Sequence, residues 1–579
     1  MLLRLGIIRY RRAPHPPSQR PHPFRAFAIP VTSPANARGM RLPAGEAVGV
    51  KDFVGGTTMS VGRIRAIVIV AALVAMTRIC SAQEAELATI NVKTDQVIGT
   101  INPDIYGHFT EHIGGVIYDG IWVGRDSKVP NIHGIRKELI DYMKRLNPPV
   151  IRWPGGCFAD RYHWMDGIGA RDKRPKRYGR WSDVTESNQF GTHEFVEFCK
   201  LCGAEPYFAA NVGTGTAEEF QSWVEYCNAP AGRTTYAEMR EKNGSKEPFA
   251  VKFWGVGNEN WGCGGSFTPE DYCTEYRKFV TWPPNYGPLH LIACGPNGND
   301  VNWTKRFMKK WTDYTRVPLD GWSCHYYCGS TGSALDYSND QWFQMLQKAY
   351  FMDTLVRDQW NTLAEFDPDH HIKLVIDEWG CWHPAGTEIN KAHLFEQMST
   401  LRDAEVAAIT LDIFNRHCEK VEMANVAQLV SNLHSLFIAD GPKFVATPNF
   451  YVFEMYKVHQ GAQGVACEIN APLAQFKEGE NNKTFPSLLG SASIKDKKLH
   501  ISVVNTSVSD PIEAIINLGS VKVKGGTVSV LTAKDIRAHN TFEKPNEVVT
   551  VTSPLPASGS SFKHTFPAAS ITMLELEIP

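Results

Sequence analysis

Between residues 102 and 427 the chain alternates short apolar runs with longer amphipathic ones, and this alternation restricts the fold more than any other feature. Short apolar runs bounded by turn residues read as buried strands; apolar residues spaced three and four apart read as helices. Candidate strands lie at 105–109, 150–153, 206–210, 253–256, 289–294, 321–325, 374–376 and 409–414. Helical patterns lie at 134–146, 191–202, 217–227, 269–280 and 340–366, and Pro269 directly after Thr268 marks a helix start. Strands alternating with helices make a parallel sheet covered on both faces. Eight such repeats predict an α/β fold, the closed (β/α)8 TIM barrel.

After about residue 446 the texture changes, and residues 460–579 lose the helical pattern. Alternating runs at 499–505, 514–518, 526–531 and 570–578, separated by Gly, Pro, Ser and Asn, predict a C-terminal antiparallel β-sandwich of jelly-roll type. Residues 88–97 alternate in the same way and are expected to add a strand to that sandwich. The division is therefore an N-terminal extension over 1–82, a sandwich strand over 83–101, a catalytic barrel over 102–446 and the sandwich over 447–579.

Residues 1–58 are rich in Arg and Pro and carry no hydrophobic period. Arg63 and Arg65 then precede the apolar run 66–76, and Cys80-Ser81-Ala82 follows it. Such a run is too short to cross a bilayer, which takes about 20 residues. A basic start, a short apolar run and small residues make a secretory signal peptide at about 59–82, so the expected location is secreted or periplasmic. With 60 Lys+Arg against 61 Asp+Glu, nothing favours nucleic acid or anionic lipid as a partner. The 13 cysteines include Cys199 and Cys202 three apart, but a zinc or redox site would need a matching second pair, and Cys324/Cys328 has the wrong spacing. They read as buried thiols, with a disulfide somewhere left open.

In such a barrel the working residues follow the carboxyl ends of the strands. Those ends read His108 to His112, Arg152 to Phe158, Asn211, Gly257 to Trp261, His325 to Tyr327 and Asp377 to Gly380. Polar groups there are costly to bury unless something binds them. Glu259 and Glu378 end strands four and seven, on opposite sides of the mouth. Two carboxylates flanking a glycosidic bond are what hydrolysis through an oxocarbenium-like transition state requires. The competing reading is that both glutamates only pair with Arg152 or another base.

The motifs HFTEHIGG, IRWPGGCF, FWGVGNENWGCGG, CHYY, VIDEWG and NVAQLV, in that order, resemble glycoside hydrolase family 51, the α-L-arabinofuranosidases. The resemblance spans about residues 88–579. It implies Glu259 as general acid/base and Glu378 as nucleophile of a retaining, exo-acting arabinofuranosidase. It also implies sugar contacts from Glu111, Arg152, Cys157, Asn258, His325, Tyr327, Trp382 and Gln428, with Tyr327 orienting the nucleophile and Trp382 forming a stacking wall. No cofactor and no metal are implied. The expected partner is an arabinose-containing polysaccharide or oligosaccharide, and a homo-oligomer is common in the family. Gly380 departs from the Asn that many relatives carry after Glu-Trp. Two other readings stand beside this one: an endo-acting glucanase or xylanase of the same clan, and a non-catalytic carbohydrate-binding barrel.

Overall fold

The computed structural model describes residues 87–579 apart from 180, 182–183 and 282–286. The N-terminal extension and the segment read as a signal peptide lie outside the described residues. Gln83–Pro579 forms one compact unit.

Eight parallel strands close into a barrel in chain order: Gly107–Phe109, Val150–Trp153, Glu205–Ala210, Phe253–Val256, His290–Ala293, Gly321–Gly329, Lys373–Trp382 and Val421–Ala427. The first is shorter than its apolar run, because Asn102 caps a 3-10 turn at Pro103–Tyr106 that uses up the run's start. The floor of the barrel is filled by Val150, Tyr207, Phe253, Ile292, Val375 and Met423, drawn from six of the eight strands. This apolar layer leaves the polar residues beyond it facing the open, carboxyl end.

One expected strand is a helix. Residues 409–414 lie within Leu401–Arg416, a 16-residue helix begun by a capping box between Thr400 and Asp403. Residues 401–415 are all buried, so the helix is covered on almost every side and shows no single apolar stripe. The reason is its position between the barrel and the C-terminal sheet. Asp412 accepts hydrogen bonds from Ser491, Ser502 and Tyr456, and Asn415 donates to Ser491. The eighth strand lies further on at Val421–Ala427, where Glu422 and Asn425 interrupt the apolar pattern.

A nine-stranded sheet follows the barrel, built from seven strands between Leu488 and Glu577 together with Gln463–Asn470 and Ala88–Thr100. Its strands from opposite ends of the order, such as Gly526–Thr532 and Ile512–Asn517, bury side chains in one cluster with Ile501, Val503 and Leu574, so the sheet folds over on itself. The pairing is antiparallel except between Ala88–Thr100 and Ile512–Asn517, which run parallel.

Candidate active site

Glu378 is built into strand seven by an irregularity. Strand six runs from Ser323 to His325 while the paired strand seven runs from Val375 to Glu378, so strand seven carries one extra residue. Such a bulge re-aims side chains, and here it turns both Asp377 and Glu378 inward. Both reach Arg152, which is buried at the centre of the mouth. Its Nη1 donates to Glu378 Oε1 at 2.8 Å, its Nη2 donates to Asn258 Oδ1 at 2.7 Å, and its Nε lies 3.5 Å from Asp377 Oδ2. Tyr207 also donates to Asp377 Oδ2 at 2.8 Å.

The other oxygen of Glu378 accepts from Tyr327 OH at 2.9 Å. Burial alone would raise the Glu378 carboxyl, but the charges of His325 and Arg152 and the bonds from Arg152 and Tyr327 outweigh it and hold it below the ordinary carboxylate range. This group is ionised.

Glu259 follows strand four with a φ of 42°, in the left-handed region. Non-glycine residues held there are a recurring feature of functional sites. His325 Nδ1 lies 3.1 Å from Glu259 Oε1 and 3.5 Å from Glu378 Oε2, so one imidazole bridges the two carboxylates. Burial would lower the His325 ring, but the Glu378 charge and the bond to Glu259 outweigh it and raise it. One oxygen of Glu259, one of Glu378 and a His325 nitrogen all lie within 4.8 Å of each other.

Glu111, after strand one, makes the third carboxylate. Phe158 N–H donates to its Oε1 at 3.0 Å and Gln428 Nε2 to its Oε2 at 3.1 Å. Burial, and then the Glu378 charge, push its carboxyl up to about 7. Two glycines make room for it: a Cβ on Gly156 would sit 2.7 Å from Glu111 Oε2, and one on Gly155 2.6 Å from its Cγ. Gly380 is required by a similar contact, since a Cβ there would meet His434 Cβ at 2.7 Å. Trp382 stands at the rim, 40% exposed, with Tyr327 and Phe395 against its ring at 5.4 and 5.2 Å.

Glu111, Arg152, Asn258, Glu259, His325, Tyr327, Glu378 and Gln428 are thus brought together, with Trp382 beside them. Cys157 needs a correction. It is not a free pocket-lining thiol but half of a disulfide with Cys263. Its sulfur and that of Cys263 lie 3.6 and 3.5 Å from Glu259 Oε2, and neither carries a hydrogen to donate. Cys199, Cys202, Cys324 and Cys328 are free and buried. Tyr207 and Cys263 join the site without having been expected there, and Asp377, a strand-end residue to which no role was given, joins it as well. Cys263 stands inside the GNENWGCGG motif, but nothing in one sequence pairs it with a cysteine 106 residues away. A cavity of about 450 Å³ lined by Arg171, Arg174 and Glu194 contains none of these carboxylates and is not the reaction centre. Cys381, Asp403 and His434 also offer donor atoms within 4.8 Å of one another, but Asp403 is already bonded to His383 and Thr400.

A closed parallel barrel whose mouth sets two carboxylates on either side of one histidine, one of them held by a buried arginine, has the arrangement of a barrel glycoside hydrolase. The chain matches "Alpha-L-arabinofuranosidase 1 domain" over residues 142–344 and "Alpha-L-arabinofuranosidase C-terminal domain" over 377–570. It is 40% identical over 511 residues to the intracellular exo-alpha-L-arabinofuranosidase of Bacteroides ovatus, covering 86% of this chain and 96% of that protein. Among solved structures it is similar to the GH51 arabinofuranosidase of Xanthomonas axonopodis pv. citri, with TM-score 0.80, 36% identity, and coverage of 85% of this chain and 100% of that one. The Thermotoga maritima α-L-arabinofuranosidase in complex with arabinose gives TM-score 0.76 and 32% identity, with 85% and 100% covered. The chain belongs to glycoside hydrolase family 51, the α-L-arabinofuranosidases.

The same comparison corrects the expected location. The Bacteroides ovatus relative is named an intracellular enzyme, which overturns the secreted or periplasmic expectation. A basic, apolar, small-residue run is a weak signal when it rests on one stretch of sequence. Among the described residues no helix is long and apolar enough to cross a membrane.

Proposed function

We propose that this chain is an exo-acting α-L-arabinofuranosidase that releases terminal arabinofuranose from arabinose-containing polysaccharides or oligosaccharides with retention of configuration. The observation that carries the mechanism is the approach of the two carboxylates, with one oxygen of each within 4.8 Å of the other. Retaining enzymes hold their carboxyl groups about 5–5.5 Å apart, whereas inverting ones leave about 6.5–9.5 Å for a water.

Glu378, held ionised by Arg152 and Tyr327, attacks the anomeric carbon. Glu259 gives its proton to the leaving oxygen, and the arabinosyl–Glu378 ester forms as the glycosidic bond breaks. Water then attacks that ester while Glu259 takes up the water's proton. His325 bridges both groups and stabilises the charge that passes between them. Asn258, fixed by Arg152, is aimed at the sugar hydroxyl beside the reacting carbon. Glu111 and Gln428 grip the far hydroxyls, Gln428 through an Oε1 that has no partner among the described residues. Being buried and bonded to each other, these two close one side of the catalytic pair, which supports cleavage of a terminal sugar over passage of a backbone.

Glu259→Ala tests the acid/base assignment. The variant keeps glycosylation on an aryl α-L-arabinofuranoside, whose leaving group needs no proton, and azide accelerates its turnover to yield arabinosyl azide of retained configuration. Unchanged hydrolysis of arabino-oligosaccharides, with no azide adduct by NMR, refutes the assignment.

A further inference from the structure

We propose that the Cys157–Cys263 bridge keeps hydrogen-bond donors away from one oxygen of Glu259 and so makes proton delivery to the leaving group dependent on redox state. The inference rests on the assignment of Glu259 as acid/base. Cys157 follows strand two, and Cys263 lies in the turn after strand four that begins at Glu259 itself. That turn wraps the Glu259 carbonyl, which accepts from Gly262 and Gly264 N–H at 2.7 and 3.1 Å. The bridge ties the turn to the loop that carries Phe158, and Phe158 in turn holds Glu111. One covalent link therefore sets the acid/base and the sugar-gripping carboxylate relative to each other.

The two oxygens of Glu259 have different neighbours. Oε1 faces His325 Nδ1 at 3.1 Å, whereas Oε2 faces, among the described residues, only the two bridge sulfurs at 3.5 and 3.6 Å. Oε2 is thus the oxygen left to carry the catalytic proton. A disulfide has no hydrogen to donate, so it does not compete for that position. A pair of thiols does. Each S–H would lie within donor range of Oε2, and hydrogen bonding to an ionised carboxylate favours the ionised form. Reduction thus replaces neighbours that leave the protonated acid unopposed with two donors that oppose it, and it also frees the turn.

The chemistry is ordinary thiol–disulfide exchange with a dithiol reductant. A reductant thiolate attacks one bridge sulfur, its second thiol resolves the mixed disulfide, and two electrons and two protons end on Cys157 and Cys263 while the reductant is oxidised. Access is available, because both cysteines are half-buried at the mouth, while nine of the ten free cysteines among the described residues are buried.

The test is to measure kcat/KM against pH for the full-length enzyme before and after a small dithiol, with thiol alkylation and mass spectrometry to count the two new thiols. Two substrates are compared: an aryl α-L-arabinofuranoside and an arabino-oligosaccharide with a poor leaving group. On reduction the alkaline limb of the oligosaccharide profile moves down by on the order of one pH unit, the aryl substrate is affected several-fold less, and reoxidation restores both. Cys157→Ser/Cys263→Ser, which keeps two donors, behaves as the reduced enzyme and ignores the reductant. Cys157→Ala/Cys263→Ala, which has neither bridge nor donors, keeps the alkaline limb of the oxidised enzyme. An enzyme with both thiols counted but an unmoved profile and an unchanged substrate ratio overturns the proposal. So does an alanine pair whose limb moves as far as reduction moves it, since the effect would then come from the broken tether alone. In Glu259→Ala the redox effect on the oligosaccharide disappears; if it persists while azide rescue succeeds, the acid/base assignment stands and the bridge acts elsewhere.

Discussion

Replacing Tyr327 by Phe removes one oxygen and leaves the ring in place against Trp382, 5.4 Å away between centroids. What disappears is the 2.9 Å hydrogen bond to Glu378 Oε2. A bond to a charged group contributes about 1.5–3 kcal/mol, which corresponds to roughly 10- to 150-fold in rate if it is needed to hold the nucleophile in line. The pH profile gives a second readout. The Glu378 carboxyl lies below the ordinary range even though burial raises it, because His325, Arg152 and Tyr327 together outweigh burial. A carboxylate depressed in this way works above its folded value and fails as pH falls through it. Removing one donor raises that value, so the acid limb of kcat/KM shifts to higher pH. Arg152 and His325 remain, and an effect near the lower end of the range corresponds to about one unit. Initial rates on an aryl α-L-arabinofuranoside from about pH 3 to 8, with circular dichroism to verify folding, measure both quantities. A kcat within about twofold of the parent and an unmoved acid limb would refute the claim that Tyr327 tunes the nucleophile.

Three further outcomes follow from the same geometry. Glu378→Ala loses turnover by several orders of magnitude on aryl and natural substrates alike, and substantial residual rate on either would sink the nucleophile assignment. Glu111→Gln raises KM more than it lowers kcat; in the parent KM falls as pH rises through about 7, where Glu111 gains its charge, and that dependence vanishes in the variant. Persistence of the KM inflection in the variant would assign it to another group. Glu405 is buried in the helix Leu401–Arg416 with neither oxygen bonded among the described residues, and burial holds its carboxyl well above the ordinary range. A raised carboxyl contributes stability at low pH that is lost as pH rises, so Glu405→Met stabilises by about 1 kcal/mol or more at pH 7 and by less near pH 4. Calorimetry showing an equal or lower Tm at pH 7 rules that out.

The barrel is legible in the sequence because seven of its strands are short apolar runs ending in polar residues, and the floor beneath them is filled by the same residues that make the pattern. The eighth escapes because the helix Leu401–Arg416 is covered by the barrel on one side and the sheet on the other, which erases its periodicity. Glu259, Glu378 and Arg152 can be read directly, since charge at the tip of an apolar strand is costly without a purpose. Asp377 stands at the same strand end, but its facing inward beside Glu378 cannot be read, because a strand alternates its side chains and only the bulge lets two consecutive acids face inward. Cys157 stands beside the carboxylates as expected but with different chemistry. A thiol and half of a disulfide are the same letter, and the partner is set by three-dimensional approach alone.

The strand Ala88–Thr100 has a consequence for how the molecule is made. It pairs Thr100 with Gln463 and Ala88 with Ala514, so its neighbours in the sheet are encoded about 360 residues or more downstream. At about 5–20 residues per second, a ribosome delivers the first of those partners roughly 20 to 75 s after the strand itself. Throughout that interval a thirteen-residue strand with buried Ile90 and Val92 has both hydrogen-bonding edges open. Lys93 and Asp95 near its middle are charges of the kind that disfavour edge-to-edge pairing of strands. Replacing both by Val should leave the finished enzyme's kinetics intact while lowering its soluble yield, a defect visible during synthesis and absent from the folded protein.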